Sequence, residues 1–153
     1  MQLAKNFTLK EMLVSQTATR NGFTEQFDPP KAVIENLKKV ANQVLQPVRD
    51  EFGVIVVTSG YRCLRVNRAI GSSDGSDHVR GLAADFVSPV HNELALAKWI
   101  QRHINYDQLI LEFGTITNPS WLHVGIGGSM RNQILHIGNR GTRVLTRAQL
   151  QAL

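Results

Sequence analysis

Between Ser76 and Asp85 the chain reads Ser-Asp-His-Val-Arg-Gly-Leu-Ala-Ala-Asp, which sets an imidazole, His78, seven residues before a carboxylate, Asp85, with Gly81 between them. If the chain enters a strand at Gly81, both side chains can turn toward one point. Alternation in Leu82–Val87 groups Asp85 with Ala83 and Val87, and Leu82, Ala84 and Phe86 on the other face. The small neighbours leave room beside the carboxylate. Taken alone, such a pair reads as a solvated loop histidine and an aspartate bound to an arginine. A third segment shifts that balance. In Trp121–Ile126, alternation groups Trp121, His123 and Gly125 against Leu122, Val124 and Ile126; in Gln108–Phe113 it groups Gln108, Ile110 and Glu112 against Leu109, Leu111 and Phe113. Matching the apolar faces puts Glu112 on the side of His123, and a register slip of one residue would part them.

His78, Asp85 and His123 together supply two imidazoles and one carboxylate. Three protein ligands with a fourth position open to water describe a catalytic zinc site, whereas a structural site closes all four. Zinc lowers the pKa of water to about 7 and polarises a carbonyl. A carboxylate near the metal but not on it, the place predicted for Glu112, then serves as general base. Arg62 follows a strand end, and its planar guanidinium can hold a peptide carboxylate through two parallel hydrogen bonds; an ion pair with Asp77 or Asp85 is its structural alternative. Ser76 either donates to a substrate or caps the loop turn. Cys63 reads as a small buried filler. His91, His103 and His136 fit no ligand spacing, and Asp74 and Asp77 make an incomplete calcium ladder.

These residues need a scaffold, and the pattern around them predicts one. Thr8 and Glu11 form a capping box, with Phe7 and Met12 as a hydrophobic staple, so a helix opens the chain. Ser15 to Phe27 has no sustained period and reads as a loop. Asp28-Pro29-Pro30 launches a second helix whose buried stripe is Val33, Leu37, Val40, Val44 and Val48, with Pro47 kinking or shortening the last turn and Gly53 closing it. Val54–Thr58 and Leu82–Val87 are strands, about Asn92 to Ile104 a helix, and Gln108–Phe113 with Trp121–Ile126 a strand pair; a weak strand near Gln133–Ile137 and a short helix after Thr146 complete the chain. The result is α+β, a small, mostly antiparallel sheet with N-terminal helices packed on one face.

At 153 residues and 17.0 kDa the chain is the size of one domain, residues 1–153. The single cysteine excludes an internal disulfide and all-cysteine zinc sites. No apolar run is long enough for a membrane span. Seventeen Lys and Arg against twelve Asp and Glu give +5, which invites a polyanion, nucleic acid or an anionic cell envelope. The arginines at 131, 140, 143 and 147 lack interleaved aromatics and point to a solvated face rather than a specific nucleic-acid partner.

The motif residues resemble the family of zinc D-alanyl-D-alanine carboxypeptidases and L-alanyl-D-glutamate endopeptidases of cell-wall peptides, whose fold the Hedgehog signalling domain is similar to. The likeness rests on Ser76, His78, Asp85, Trp121 and His123, on Thr58-Ser59-Gly60-Tyr61-Arg62 with Val66-Asn67, and on Gly71-Ser72-Ser73. It extends to Phe7–Leu13 and Leu45–Arg49, which look like the short branch met in phages and prophages, and covers about residues 7 to 126. The resemblance implies that His78, Asp85 and His123 bind one zinc and that Arg62 and Ser76 bind the peptidoglycan stem peptide. Many relatives place the catalytic acid three residues before the second histidine; that position is Ser120 here, so Glu112 takes the role. The implied protein is a monomeric, endolysin-like hydrolase, made in the cytoplasm without a signal peptide and acting on the cell wall, phage-encoded or virion-associated. A catalytically inactive zinc-containing binding or phage structural module is the alternative, and a basic assembly or nucleic-acid-binding protein with a coincidental triad is a third reading. Which stem-peptide bond is cut stays open at this level.

Overall fold

The computed structural model describes all 153 residues. A short ribbon, β1 (Gln2–Ala4) against β2 (Phe7–Thr8), leads into α1 (Leu9–Leu13). The capping box forms: Thr8 Oγ1 accepts the Glu11 N–H, and the Glu11 carboxylate accepts the Thr8 N–H at 3.0 Å. Phe7 and Met12 both disappear into the core. The stretch expected as a loop instead holds α2 (Gln16–Asn21) and a 3₁₀ turn (Thr24–Phe27). Ser15 caps α2 at the Ala18 N–H, and Gly22 ends it. A six-residue helix with one buried side chain, Ala18, shows too little period to be seen in a sequence.

The next helix begins later than the Asp28 cap predicted for it. Pro30 holds the cap position without a side-chain hydrogen bond, and α3 runs Lys31–Val40. It continues through a π turn (Ala41–Leu45) into α4 (Gln46–Phe52). Pro47 therefore lies in the first turn of α4, where the wider π turn ahead of it accommodates its missing N–H. Val33, Leu37, Val40, Val44 and Val48 are all buried, so one apolar stripe runs through all three pieces.

The remaining elements are β3 (Val56–Ser59), α5 (Leu64–Ala69), a 3₁₀ turn (Asp77–Arg80), β4 (Ala83–Val87), α6 (Glu93–His103), β5 (Gln108–Glu112), β6 (Trp121–Gly125), β7 (Gln133–Gly138), β8 (Gly141–Leu145) and α7 (Arg147–Gln151). β8 was not expected: four of its five residues are exposed, and only Leu145 carries a core signal. The six strands from β3 to β8 form one sheet in the order β3-β4-β6-β5-β7-β8, antiparallel except for the β5–β7 pair.

The two faces of this sheet have different fates. Ala84, Phe86, Leu109, Leu111, Leu122, Val124 and Ile134 point into the hydrophobic core with the α3–α4 stripe and with Leu96, Ala97 and Ile100 of α6. Full burial of each large aliphatic side chain stabilises by roughly 1.5–3 kcal/mol, so this face is committed to packing. The chemistry is left to the other face. There Ser59, Asp85, His123 and Ile110 lie side by side across β3, β4, β6 and β5, and Glu112 lies beside Trp121. An extra residue in β3 between Val57 and Ser59 moves Ser59 to the Asp85 side.

Candidate metal centre

His78 comes from the 3₁₀ turn before β4, Asp85 from β4 and His123 from β6, and all three are buried. Cross-strand pairing puts Asp85 directly opposite His123. Gly81 delivers His78 to the same place: its φ of 72° turns the chain sharply from the 3₁₀ turn into the strand, a conformation that favours glycine. His78 Nε2, Asp85 Oδ1 and His123 Nδ1 then form a triangle with edges of 3.2, 3.2 and 2.9 Å.

The protonation of this triangle follows from its surroundings. His78 Nδ1 lies 2.6 Å from the Gly60 carbonyl oxygen, which can only accept, so Nδ1 carries the proton and Nε2 presents a lone pair. With both imidazoles neutral, only His123 Nδ1 can bring a proton to the triangle. At least one edge therefore sets lone pair against lone pair in a buried place. A cation bound by all three atoms removes that conflict. Tetrahedral zinc with bonds of 2.0–2.2 Å separates its ligand atoms by about 3.3–3.6 Å, a few tenths of an ångström wider than the edges observed. The residues present fit a zinc ion, with two imidazole nitrogens and a carboxylate oxygen as donors.

Burial alone would raise the Asp85 carboxyl, but its interactions with His78 and His123 overcome that and hold the group below the ordinary carboxylate range, so Asp85 offers an ionised oxygen to the triangle. The Gly60 carbonyl is itself held in place. Tyr61 donates its N–H to Met12 O at 2.8 Å, and a Cβ on Gly60 would fall 2.6 Å from that same oxygen, so only glycine permits the close approach of α1. The backbone acceptor that orients a candidate metal ligand had no side-chain signature in the sequence.

Glu112 stands on the face predicted for it, beside Trp121 and one alternate position from Ile110, the residue opposite His123. Its carboxyl is raised above the ordinary value, first by burial and then by the Asp85 charge; His123, Arg62 and the Trp121 indole N–H oppose the rise. The Trp121 Nε1 is buried and does not meet full hydrogen-bond geometry with any partner. Phe113 and Trp121 pack with ring centroids 5.2 Å apart beside the carboxylate. Ser120 is exposed and donates its N–H to Glu112 O; nothing places its hydroxyl at the triangle.

Arg62 reaches the same region. Nη2 lies 3.4 Å from Ser76 Oγ, and Ser76 Oγ accepts the His78 N–H at 3.3 Å. The ion pair with Asp77 or Asp85 is not formed: Asp77 is taken by Arg80, and Asp85 by the two histidines. Burial depresses the Arg62 pKa, while the charges of Asp85 and Glu112 counter the shift. The other sites weighed in the sequence stay apart: Cys63 is buried, Asp74 pairs with Arg68, and His103 stacks on Trp99. Asp107, a further buried carboxylate, pairs with Arg131.

An α+β sheet with a histidine–aspartate–histidine cluster on its open face, and a separate carboxylate beside it, is the architecture of a metallopeptidase. The profile of the Peptidase M15 family matches residues 5–125, and the chain belongs to that family of zinc-dependent peptidases. No curated protein matches the chain. No helix is long and apolar enough to cross a membrane.

Proposed function

We propose that residues 1–153 form one zinc peptidase domain that hydrolyses an amide bond of the peptidoglycan stem peptide, in the manner of an endolysin, and that His78, Asp85 and His123 hold the ion. The observation that carries this reading is the presence on one sheet face of three converging ligand atoms and a carboxylate, Glu112, that is not among them. The net charge of +5 suits an anionic envelope.

When bound, zinc supplies a Lewis acid that polarises the scissile carbonyl and makes water easier to deprotonate. The protein's own residues do the rest. Glu112 takes a proton from the attacking water and delivers it to the leaving amine nitrogen; burial of its carboxyl suits it to both steps, since a base is most effective when its pKa lies near the working pH. Arg62, a cation without an ion-pair partner, binds a carboxylate of the peptide, and Ser76, whose Oγ lies 3.4 Å from Arg62 Nη2, steadies the guanidinium. Trp121, opposite Glu112 on the neighbouring strand, packs on Phe113 and forms the apolar side of the carboxylate's surroundings.

Digestion of purified sacculi, read by mass spectrometry of the released fragments, tests this reading. The zinc-loaded protein should release stem-peptide fragments whose new termini name the bond, D-Ala-D-Ala or L-Ala-D-Glu. Glu112→Gln should release them on the order of 10²–10⁴-fold more slowly while keeping its zinc. A zinc-loaded wild-type protein that releases nothing would overturn the hydrolase and leave a zinc-containing binding module.

A further inference from the structure

A cavity of about 300 Å³ opens beside the metal centre on its β3 side. Gln16 and Arg20 of α2 form one wall, Ser59 and Arg62 the end nearest the centre, and Val66 and Ile70 an apolar flank. Ser59 is paired with Asp85, so the cavity begins one strand away from the candidate zinc ligands. Its volume is at the small end of ligand pockets.

The charge of this cavity is unbalanced. Two arginines line it and no carboxylate does. Neither Arg20 nor Arg62 makes an ion pair anywhere in the protein, and Arg62 Nε is buried without a hydrogen-bond partner. A second cavity of the same volume is lined by Ser76, and the contrast is informative. Its arginines, Arg80 and Arg131, are already held by Asp77 and Asp107. Unpaired charge of one sign in a cleft with low-dielectric walls raises the local concentration of an oppositely charged ligand, and a fork of guanidinium donors matches a carboxylate.

We infer that the cavity between α2, β3 and α5 is the subsite for a substrate residue bearing a free carboxylate, held between Arg20 and Arg62 with its aliphatic part against Val66 and Ile70. The inference deepens the peptidase reading and rests on it: the peptide acted on carries an anionic group on the β3 side of the scissile bond, and a carboxamide in its place is discriminated against. Arg20 is the residue this adds to the site.

The test reads binding rather than turnover. Zinc-loaded Glu112→Gln protein is titrated by calorimetry with a synthetic stem peptide bearing free carboxylates, and with the same peptide bearing carboxamides. If Glu112→Gln does not fold, wild-type protein and a peptide with a methylene-amine in place of the scissile amide serve instead. The carboxylate peptide should bind about tenfold more tightly, the worth of one charge-assisted contact. Adding Arg20→Gln should remove most of that difference, and adding Arg140→Gln, in the β7–β8 turn outside the cavity, should leave it intact. Equal affinity for the two peptides, binding of neither, or full discrimination by the Arg20→Gln protein would each overturn the subsite. Discrimination that depends on Arg20 in a protein that never cleaves sacculi would keep the subsite and refute the hydrolase.

Discussion

Glu112 and His123 are diagonal neighbours on one face of the β5–β6 hairpin: Trp121 lies opposite Glu112, and Ile110 opposite His123. Diagonal pairs in an antiparallel ladder stand roughly 7 Å apart at Cβ, which leaves space for a water between a carboxylate and a ligand of the other strand. The relationship separates binding a metal from moving a proton. His123 completes the triangle with His78 and Asp85, and Glu112 is near it without joining it.

Removing the carboxylate while keeping its shape should therefore separate the two roles. Glu112→Gln should retain fold and one zinc per chain, because the ligand atoms are untouched, and lose on the order of 10²–10⁴-fold in turnover. Ser120→Ala should change turnover far less, since its hydroxyl is exposed and away from the triangle. Peptide hydrolysis with elemental analysis of each variant checks both. Wild-type turnover in zinc-loaded Glu112→Gln would remove Glu112 from the mechanism.

The same carboxylate should titrate abnormally before metal is added. In the zinc-free protein the Glu112 carboxyl should ionise above its ordinary 4.5, through burial first and the Asp85 charge second. Arg62 opposes the rise, so Arg62→Gln should move it higher still; zinc, a nearby cation, should move it down. A folded-state pKa raised above the unfolded one stabilises below the unfolded value, and that stability is lost as pH rises through the folded value. Zinc-free Glu112→Gln should consequently outlast zinc-free wild type at neutral pH, a comparison that carboxyl NMR titration and thermal unfolding decide together. An ordinary pKa in the zinc-free protein would show that burial does not govern this group.

Metal content itself follows from the three crowded acceptors. Protein purified without chelator should hold one zinc per chain, and His78→Ala, Asp85→Ala and His123→Ala should each lose it. Because an ion that binds only the folded state stabilises it by mass action, chelation should lower the melting temperature, and by more the higher the free zinc concentration from which it starts. Elemental analysis without stoichiometric zinc, or a melting curve indifferent to chelation, would show that the triangle is held by hydrogen bonds alone.

The part of this site that was legible in the sequence is the part written in side chains that alternate. Leu109, Leu111, Leu122 and Val124 mark one face by being apolar, and that parity placed Glu112 and His123 together. Asp85 and His78 were legible because Gly81 between them announces a turn. The missing parts lack such marks. The Gly60 carbonyl that fixes His78 is backbone, and its approach to α1 depends on an absent side chain. α2 buries only Ala18, so it shows no period, and with α2 unseen Arg20 had no place near the site. β8 forms because β7 offers it an edge, not because its own mostly exposed residues demand a strand.

Gly81 offers the sharpest test of how the fold holds His78 to Asp85. A Cβ there would fall 2.9 Å from Val33 O, 3.0 Å from Val33 Cγ1 and 3.2 Å from Leu37 Cγ, while φ stays at 72°. Gly71 has a similar φ of 79°, yet a Cβ added to it meets nothing within 4 Å. The two glycines thus separate conformational cost from packing cost. Gly71→Ala should lose about 1–2 kcal/mol for the left-handed backbone alone. Gly81→Ala adds overpacking against α3, whose backbone cannot move away without disturbing the Leu37 stripe, so its total should reach roughly 2–4 kcal/mol. For a chain of this size that is a fall of about 5–15 °C in melting temperature. Zinc affinity should fall with it in Gly81→Ala and stay unchanged in Gly71→Ala, because only the former shifts the 3₁₀ turn that carries His78. Equal losses in the two variants, measured by thermal unfolding and zinc titration, would mean that α3 does not brace the turn and that His78 is positioned by Gly60 alone.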